Sequence, residues 1–419
     1  GAVRTAGATR TPTMLPLPPA YDVAAAERFV ADHLGGLVAD EVRASPRFRG
    51  GQTAADAALA ALDVTGYAAR RNEVWPADRR GASAVSPYVR HGLLDLPTLW
   101  DAVADAPGKD RARYRDELLW QEYARHLYAR LGRATRSGLR HELRESDPQG
   151  VPDPWATSMA CVEVHRDELE EDGYLVNQTR LWLASHWAVR AGADWRAGED
   201  RFYRHLLDGS RAANRAGWQW TVGTATGRPY GFSRWQVTER APGLCDTCEL
   251  RDACPIEEWP DDPPLVASEP DPRLRQDPDP AHTAGPLEPE VRAAPGRVWL
   301  TAESLGDTDP ALEAHPELPA VFVFDAPLLA KLRLSAKRLV FLTETLADLA
   351  ERRELTVHLG EPREVLRGSR LAVTHAPVPG FRARAGALEV VARHPWPWLR
   401  RPHAGSFTSF SAWRRQLER

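Results

Sequence analysis

The segment that decides the fold is residues 194–220, which read DWRAGEDRFYRHLLDGSRAANRAGWQW. It contains three short motifs: Asp-Trp-Arg-x-Gly at 194–198, Asp-Gly-Ser at 208–210 and Gly-Trp-Gln-Trp at 217–220. Asn214 and Trp218 are four residues apart, so they lie on one face of a helix. Taken singly, Asp208 is more simply interpreted as a helix cap and Trp218 as core. The ordered set is what indicates a functional site.

Helical periodicity extends upstream of this segment. Apolar residues recur at three- and four-residue spacing in the stretches 24–42, 54–62, 96–104, 114–131, 176–191 and 201–207. The helix predicted over 176–191 carries Asn177, Arg180 and Leu181 on one face. No strand pattern is evident in this half. We therefore predict a disordered tail at residues 1–14 and an all-helical domain at residues 15–260.

The pattern changes at residues 261–296, which are acidic and rich in proline. This composition cannot build a core, so it predicts a linker. Beyond it, short apolar strands surround an amphipathic helix at 335–352; they are predicted at 298–300, 320–324, 355–359 and 371–374. Strand–helix–strand order implies a parallel sheet. The predicted fold class is α + α/β: the helical domain followed by a small Rossmann-like parallel α/β domain at residues 297–419.

The length, composition and net charge limit the possible classes of protein but do not select one of them. A chain of 419 residues suggests two domains, and 43% hydrophobic with 27% charged residues is typical of a soluble globular protein. We expect no membrane span, because no run of about 18 apolar residues occurs. A cytoplasmic monomer is the expectation. The net charge of -4 gives no general support for nucleic-acid binding, although a local basic groove can still exist.

The four cysteines form a compact set. Cys245, Cys248 and Cys254 follow the pattern C-x2-C-x5-C, and Cys161 is the only other cysteine. Four thiolates suit either an iron–sulfur cluster or a structural zinc ion. Two disulfides are the alternative, which a cytoplasmic chain disfavours. We predict these four residues to be metal ligands.

The ordered set in the helical domain resembles the flavin site of photolyases and cryptochromes. That family reads Asn-x-x-Arg, Asp-Trp-Arg-x-Gly, Asp-Gly-Asp, Asn and Gly-Trp-x-Trp, and further segments match it in order at 48–51, 66–67, 81–83, 85–88 and 117–123. The resemblance implies an FAD site formed by Tyr67, Ser83, Val85, Ser86, Arg180, Asp208, Ser210 and Asn214. Arg180 would pair with Asp208 beneath the flavin, and Asn214 would face its reactive nitrogen.

The same resemblance implies roles in electron transfer and catalysis. Trp218 and Trp195 would begin a photoreduction chain, for whose third member Trp155, Trp182 and Trp187 compete. The residues around a flipped-out pyrimidine dimer would be Glu117, Trp120, Asn177 and Trp220. A buried acid can donate a proton to the thymine carbonyl, and indoles can sandwich unstacked bases.

This sequence departs from the family pattern at several positions. Ala82 and Ala84 stand where the family usually has Thr and Arg, and Ser210 replaces the second acid of Asp-Gly-Asp. Gln121 replaces the usual Arg, and Gln178 and Leu181 replace residues that often meet the lesion. The predicted function is a light-dependent FAD enzyme, a lyase that splits cyclobutane pyrimidine dimers in damaged DNA. The alternatives are a flavoenzyme for a small-molecule substrate and a blue-light sensor.

Two further features follow from the resemblance. Some bacterial photolyases hold a [4Fe–4S] cluster with one cysteine before the flavin segment and three near the end of the helical domain. We favour that cluster over zinc for Cys161, Cys245, Cys248 and Cys254. The α/β domain resembles the family's antenna domain, with no pigment identified. In the family this domain comes first and here it comes last, which implies a circular permutation.

Overall fold

The structure, a computed structural model, describes residues 11–144 and 151–417. The first ten residues of the predicted tail lie outside this range. The helices of the first half are α1 (Val23–Leu34), α2 (Gln52–Ala60), α3 (Tyr67–Arg70), α4 (Ser86–Arg90), α5 (Leu96–Ala102), α6 (Gly108–Leu131), α7 (Ala160–Asp172), α8 (Asn177–Ala184), α9 (Trp195–His205), α10 (Arg211–Val222) and α11 (Arg234–Arg240). A π-helical turn, Ser185–Arg190, prolongs α8.

Polar residues of the deciding segment start its helices. The side chain of Asp194 accepts a hydrogen bond from the Arg196 amide and caps α9. The side chain of Ser210 accepts one from the Ala213 amide and caps α10. Both caps satisfy N–H groups that have no partner within the first turn of a helix. The motif residues therefore build the helices as well as the site between them.

The second half contains the predicted parallel sheet. Its remaining elements are β3 (Leu265–Ala267), α12 (Pro280–Ala284), β4 (Glu290–Val291), β5 (Arg297–Leu300), α13 (Pro310–Ala314), β6 (Ala320–Asp325), α14 (Ala326–Leu332), α15 (Ala336–Ala350), β7 (Leu355–Gly360), α16 (Pro362–Val365), β8 (Leu371–Thr374), α17 (Pro379–Gly386), β9 (Val390–His394) and α18 (Phe410–Leu417). Strands β7, β6, β5, β8 and β9 are parallel neighbours in that order. This order places the switch in winding direction beside β5, as in doubly wound sheets.

The structure corrects two expectations about strands in the first half. Residues Thr13–Leu15 form strand β1, which pairs antiparallel with β7 at the edge of the sheet. The end of the predicted tail is therefore ordered, because its backbone hydrogen-bonds an otherwise open strand. Residues His141–Leu143 form strand β2, which pairs with β3. Neither strand is long enough to give an alternating pattern.

The proline-rich stretch also differs from the prediction, because much of it is packed. The Leu274 side chain is buried, and so is Asp277. Asp277 lies 3.3 Å from the Nε of Arg130 on α6 and accepts a 2.6 Å hydrogen bond from Thr283. This buried ion pair, between α6 and the irregular segment before α12, holds the stretch against the helical domain. The composition predicted an unpacked linker, but contacts with α6 hold part of this stretch in one conformation.

The two halves pack together along the first turn of α15. Ser335 N donates to Arg204 O, and Arg338 donates to the carbonyls of Tyr203 and Gly209. At the switch in winding direction, a cavity between the halves is lined by residues that include Val89, Arg125, Glu303 and Trp396.

Over the described residues, no helix combines the length and the apolar character needed to cross a bilayer.

Candidate functional site

An ion pair between α8 and the loop before α10 lies at the centre of the candidate site. Arg180 donates two hydrogen bonds to Asp208, at 3.1 Å to Oδ1 and 2.6 Å to Oδ2. The hydroxyl of Ser86, at the start of α4, donates to Asp208 Oδ2 at 2.6 Å. The structure thus brings together three of the residues predicted from sequence, and these come from three separate segments.

The surroundings favour the charged form of this pair. Burial alone would lower the pKa of Arg180, but the Asp208 carboxylate outweighs it and the pKa is raised. The loop next to Asp208 is fixed through the Gly209 carbonyl, which accepts from Arg90 Nε at 2.7 Å and from Arg338 Nη2 at 2.9 Å. Arg90 and Arg338 therefore fix the loop beside Asp208 and leave the Asp208 carboxylate oxygens to Arg180 and Ser86.

The stretch before α4 has a backbone suited to an anion. Ala84 has a left-handed φ of 54°, and Val85 is right-handed. Such an alternation turns successive N–H groups towards one concave side, which is a recurrent phosphate-binding arrangement. The Ser83 hydroxyl accepts a 3.4 Å hydrogen bond from Tyr114, and Tyr114 meets the Tyr67 ring edge-on at 5.3 Å. Backbone N–H groups, hydroxyls and the half-buried Arg180–Asp208 ion pair fit the diphosphate and ring of a flavin dinucleotide.

Asn214 and Ser210 make contacts that the sequence did not predict. The Asn214 amide nitrogen donates to the backbone oxygen of Glu199 at 3.0 Å and to its Oε1 at 3.2 Å. Glu199 is fully buried, and burial raises its pKa although Arg211 and Arg215 oppose this. The Ser210 hydroxyl caps α10. Glu199 therefore orients the Asn214 amide and leaves its oxygen available.

The two tryptophans of the predicted electron-transfer chain are both buried. Trp218 is 2% exposed and Trp195 1% exposed. Gly198 lies against Trp218 so closely that a Cβ there would stand 2.2 Å from Trp218 Cη2. The Trp218 ring also meets Phe202 edge-on at 5.0 Å. The glycine of Asp-Trp-Arg-x-Gly is thus explained by the space that the indole needs.

The three candidates for a third tryptophan fall into two groups. Phe202 contacts Trp155 at 5.5 Å, and Trp155 contacts Trp187 at 4.7 Å, so these rings adjoin Trp218 through Phe202. Trp182 instead stacks on Phe232 at 5.3 Å. The contacts favour Trp155 and Trp187 over Trp182 as continuations of the chain.

The four predicted substrate residues are all accessible to solvent. The Glu117 side chain is 34% exposed and lies 3.5 Å from Arg71. Partial burial raises the pKa of Glu117, and Arg71 opposes the rise. Trp120 is 37% exposed and Trp220 39% exposed, and Asn177 begins α8 with its side chain outside the core. Glu117 and Trp120 share a face of α6, because they are three residues apart.

Gln178, one of the departures from the family pattern, belongs to a polar network. Its Nε2 donates to Asn72 Oδ1 at 3.0 Å, and its Oε1 accepts from the Tyr230 hydroxyl at 3.5 Å. Trp220 packs against the same Tyr230 at 6.1 Å. These contacts keep Gln178 beside the exposed indole of Trp220.

The four cysteines line one small cavity. Cys161 lies in the first turn of α7, where burial and the three other thiols raise its pKa. All four are free thiols, which argues against the disulfide alternative. Among the described residues, no three Cys, His, Asp or Glu side chains converge tightly enough to hold a metal ion. The cavity between the thiols is lined additionally by Arg234 and Arg251.

Sequence reasoning missed three residues that shape the site. Glu199 was passed over although Trp195, Glu199 and Phe202 recur at helical spacing, which was a sufficient signal for an inward position. Arg338, in the α/β half, holds the Gly209 carbonyl. Phe410 stacks on Trp120. No local pattern could have indicated the last two, because their partners are distant in sequence.

Comparison with known proteins agrees with this geometry. Residues 114–239 match the family model for the FAD-binding domain of DNA photolyase. The deoxyribodipyrimidine photo-lyase of Synechococcus is 29% identical over 189 residues, which are 41% of this chain and 38% of that protein. The enzyme of the same name from Vibrio cholerae is 30% identical over 165 residues, which are 36% of this chain and 35% of that protein.

Two solved structures are also similar in part. A class III photolyase from Agrobacterium tumefaciens is 26% identical with a TM-score of 0.35, over 41% of this chain and 37% of that one. A Synechocystis cryptochrome is 24% identical with a TM-score of 0.42, over 48% of this chain and 46% of that one. The chain spans well under half the length of the two photo-lyases named above.

The sequence match covers α8, α9 and α10, the elements that carry Arg180, Asp208 and Asn214. It also includes Glu117 and Trp120 on α6. The family model therefore covers much of the site that the structure assembles, and residues 114–239 of this chain are similar to the FAD-binding domain of DNA photolyase.

Proposed function

We propose that this protein is a light-dependent FAD enzyme that splits cyclobutane pyrimidine dimers in DNA. The observation that carries the proposal is the arrangement on α6, where a carboxyl with a raised pKa, Glu117, lies one turn from the accessible indole of Trp120. A carboxyl group beside a stacking surface suits a base radical anion, because the added electron makes the thymine carbonyl basic and a raised pKa favours proton donation. The relatives named above are deoxyribodipyrimidine photo-lyases.

FAD would be held by Ser83, Val85, Ser86, Arg180 and Asp208, and it supplies the electron when bound. Arg180 and Asp208 fix each other, so the guanidinium keeps one orientation towards the ring. The Asn214 amide nitrogen is bound by Glu199, which leaves the amide oxygen as the acceptor that Asn214 would offer to the flavin. Tyr67 closes the site beside Tyr114, and burial raises the pKa of Tyr67 so that its hydroxyl stays protonated.

The chain's substrate residues have separate tasks in this proposal. Trp120 and Trp220 stack on the extruded bases and exclude water from one side. Glu117 is the carboxyl group that would donate a proton to the substrate carbonyl, and burial, which raises its pKa, favours this role. Asn177, exposed at the start of α8, hydrogen-bonds the same base edge. Trp218 and Trp195 would relay electrons to the flavin site, with Trp155 or Trp187 as the next member of this buried chain.

We also propose a [4Fe–4S] cluster on Cys161, Cys245, Cys248 and Cys254. Support comes from the four free thiols around one cavity that is also lined by two arginines. Arg234 and Arg251 would offset the charge of four thiolates.

Cys254→Ser tests the cluster. We expect loss of bound iron by elemental analysis and of a broad absorption shoulder near ~410 nm, and Thr247→Ser is the matched control in the same loop. Zinc in the purified wild type, with no iron, would refute the cluster.

We further propose that the domains are circularly permuted relative to the family. The helical elements precede the parallel sheet along the chain, and β1 at residues 13–15 lies at the edge of that later sheet. The beginning of the described chain and the α/β half are therefore adjacent, as a permutation requires.

The decisive experiment is an anaerobic absorption spectrum before and after blue light, with and without DNA that contains thymine dimers. We expect flavin bands and light-dependent loss of dimers. Glu117→Gln should retain FAD and lose most of the repair rate, whereas Glu163→Gln, an exposed acid on α7, should behave as wild type.

Flavin bands without dimer loss would refute DNA repair. The function would then pass to one of the two alternatives, a small-molecule flavoenzyme or a light sensor. A protein without flavin after FAD titration would refute the proposal as a whole.

A further inference from the structure

The last helix, α18, is anchored on α6 next to the candidate substrate surface. Trp413 is fully buried, and its Nε1 donates to His126 Nδ1 at 2.9 Å. Arg414 donates to Asp116 Oδ1 at 2.7 Å. An indole hydrogen bond and an ion pair thus fix the helix at two successive positions.

This anchoring brings Phe410 onto Trp120. The two rings are stacked with centroids 4.1 Å apart and planes 9° from parallel. Tyr123 meets both rings edge-on, at 5.9 Å from Trp120 and 5.8 Å from Phe410. The three rings form a cluster in which offset stacking and edge contacts are both favourable.

The stack determines which part of Trp120 a ligand can reach. A parallel ring at 4.1 Å covers one face of the indole, yet Trp120 remains 37% exposed. A base can therefore stack only on the opposite face. Glu117, one turn earlier on α6, lies on the same side of the helix as Trp120.

We propose that Phe410 is a positioning residue for base binding, which holds Trp120 so that one fixed face of the indole is presented to a substrate base. This inference rests on the proposed function, because it assumes that the ligand is a nucleobase. An exposed indole without a restraint loses rotamer freedom when a base stacks on it. Phe410 removes that cost before binding, which is the general effect of preorganisation.

The test combines Phe410→Leu, Phe410→Trp and the exposed neighbour Ser411→Ala as control. The first readout is oxidative footprinting of Trp120 by mass spectrometry on the FAD-loaded full chain. The second is the affinity for a fluorescein-labelled thymine oligonucleotide with one dimer, measured by anisotropy, also in the Trp120→Ala background. Thermal unfolding verifies that each variant is folded.

We expect Phe410→Leu to raise oxidation of Trp120 and to weaken oligonucleotide binding about two- to tenfold, the factor for ordering one side chain. Phe410→Trp should keep both the oxidation of Trp120 and the oligonucleotide affinity at wild-type levels. In the Trp120→Ala background, neither substitution of Phe410 should alter the affinity. The inference would be overturned if Phe410→Leu lost as much affinity in the Trp120→Ala background as in the wild-type background. It would also be overturned if the wild type binds the oligonucleotide and Phe410→Leu binds it equally well.

A wild type that fails to bind the oligonucleotide contradicts the proposed function instead. In that case the oxidative footprinting of Trp120 alone tests the positioning role of Phe410. Unchanged oxidation of Trp120 in Phe410→Leu overturns the positioning role, and increased oxidation that Phe410→Trp reverses supports it.

Discussion

Replacement of Asp208 by asparagine tests the centre of the site. The Asp208 carboxylate accepts two hydrogen bonds from Arg180 and one from Ser86, and only 7% of its side chain is exposed. Loss of one partner of a buried ion pair costs about 3–5 kcal/mol. The Arg180 side chain is 27% exposed, so water offsets part of this cost and we expect about 2–3 kcal/mol.

The effect on the flavin follows from the same contact. Arg180 loses the partner that fixes its direction, so the FAD dissociation constant should rise at least tenfold, which corresponds to about 1.4 kcal/mol. Two assays measure these effects: urea unfolding of the FAD-free protein, and FAD titration followed by flavin fluorescence.

Asp153→Asn is the matched control. Asp153 pairs with Arg201 at 3.0 Å, but its side chain is 43% exposed, so the pair contributes at most about 1 kcal/mol. If Asp208→Asn unfolds at the same urea concentration as Asp153→Asn and binds FAD like wild type, the pair neither stabilises nor organises the site. The assignment of the flavin site to these residues would then be wrong.

Three further substitutions test separate parts of the structure. Gly198→Ala places a methyl group 2.2 Å from the Trp218 ring, so we expect a loss of about 1–3 kcal/mol in urea unfolding; wild-type stability would contradict that packing. Trp218→Phe should keep FAD bound and strongly slow its photoreduction, measured by the bleaching of flavin absorption under blue light; an unchanged rate would exclude Trp218 from the chain. Burial raises the pKa of Glu122 from 4.5 to about 7. The folded state therefore holds this proton more tightly than the unfolded chain, and the stabilisation present below about pH 4.5 is lost as the pH rises towards 7, by roughly 3 kcal/mol in all. Burial also raises the pKa of Glu344 to about 7 and that of Asp309 to about 6. Glu122→Gln should therefore lessen, without abolishing, the loss of unfolding free energy between pH 5 and pH 8, and an undiminished loss would assign it to the other groups.

Local sequence predicted many of the helices, four of the five parallel strands and the order of the site motifs. The predicted strands 320–324 and 371–374 correspond to β6 and β8, and the helix predicted at 335–352 corresponds to α15. These elements have strong periodicity, and periodicity depends only on which face of an element is buried. The ordered residues from Asn177 to Trp220 were equally readable, because the site depends on residue types at fixed spacing.

The tertiary structure alone decided the contacts between distant segments. Strand β1 is only three residues long and becomes ordered by pairing with β7. Asp277 is an acid in a proline-rich stretch, yet Arg130 holds it in the interior. Phe410 follows Trp120 by 290 positions and stacks on it because α18 is anchored to α6. In each case the local signal is weak, and the free energy comes from a partner whose position only the folded chain fixes.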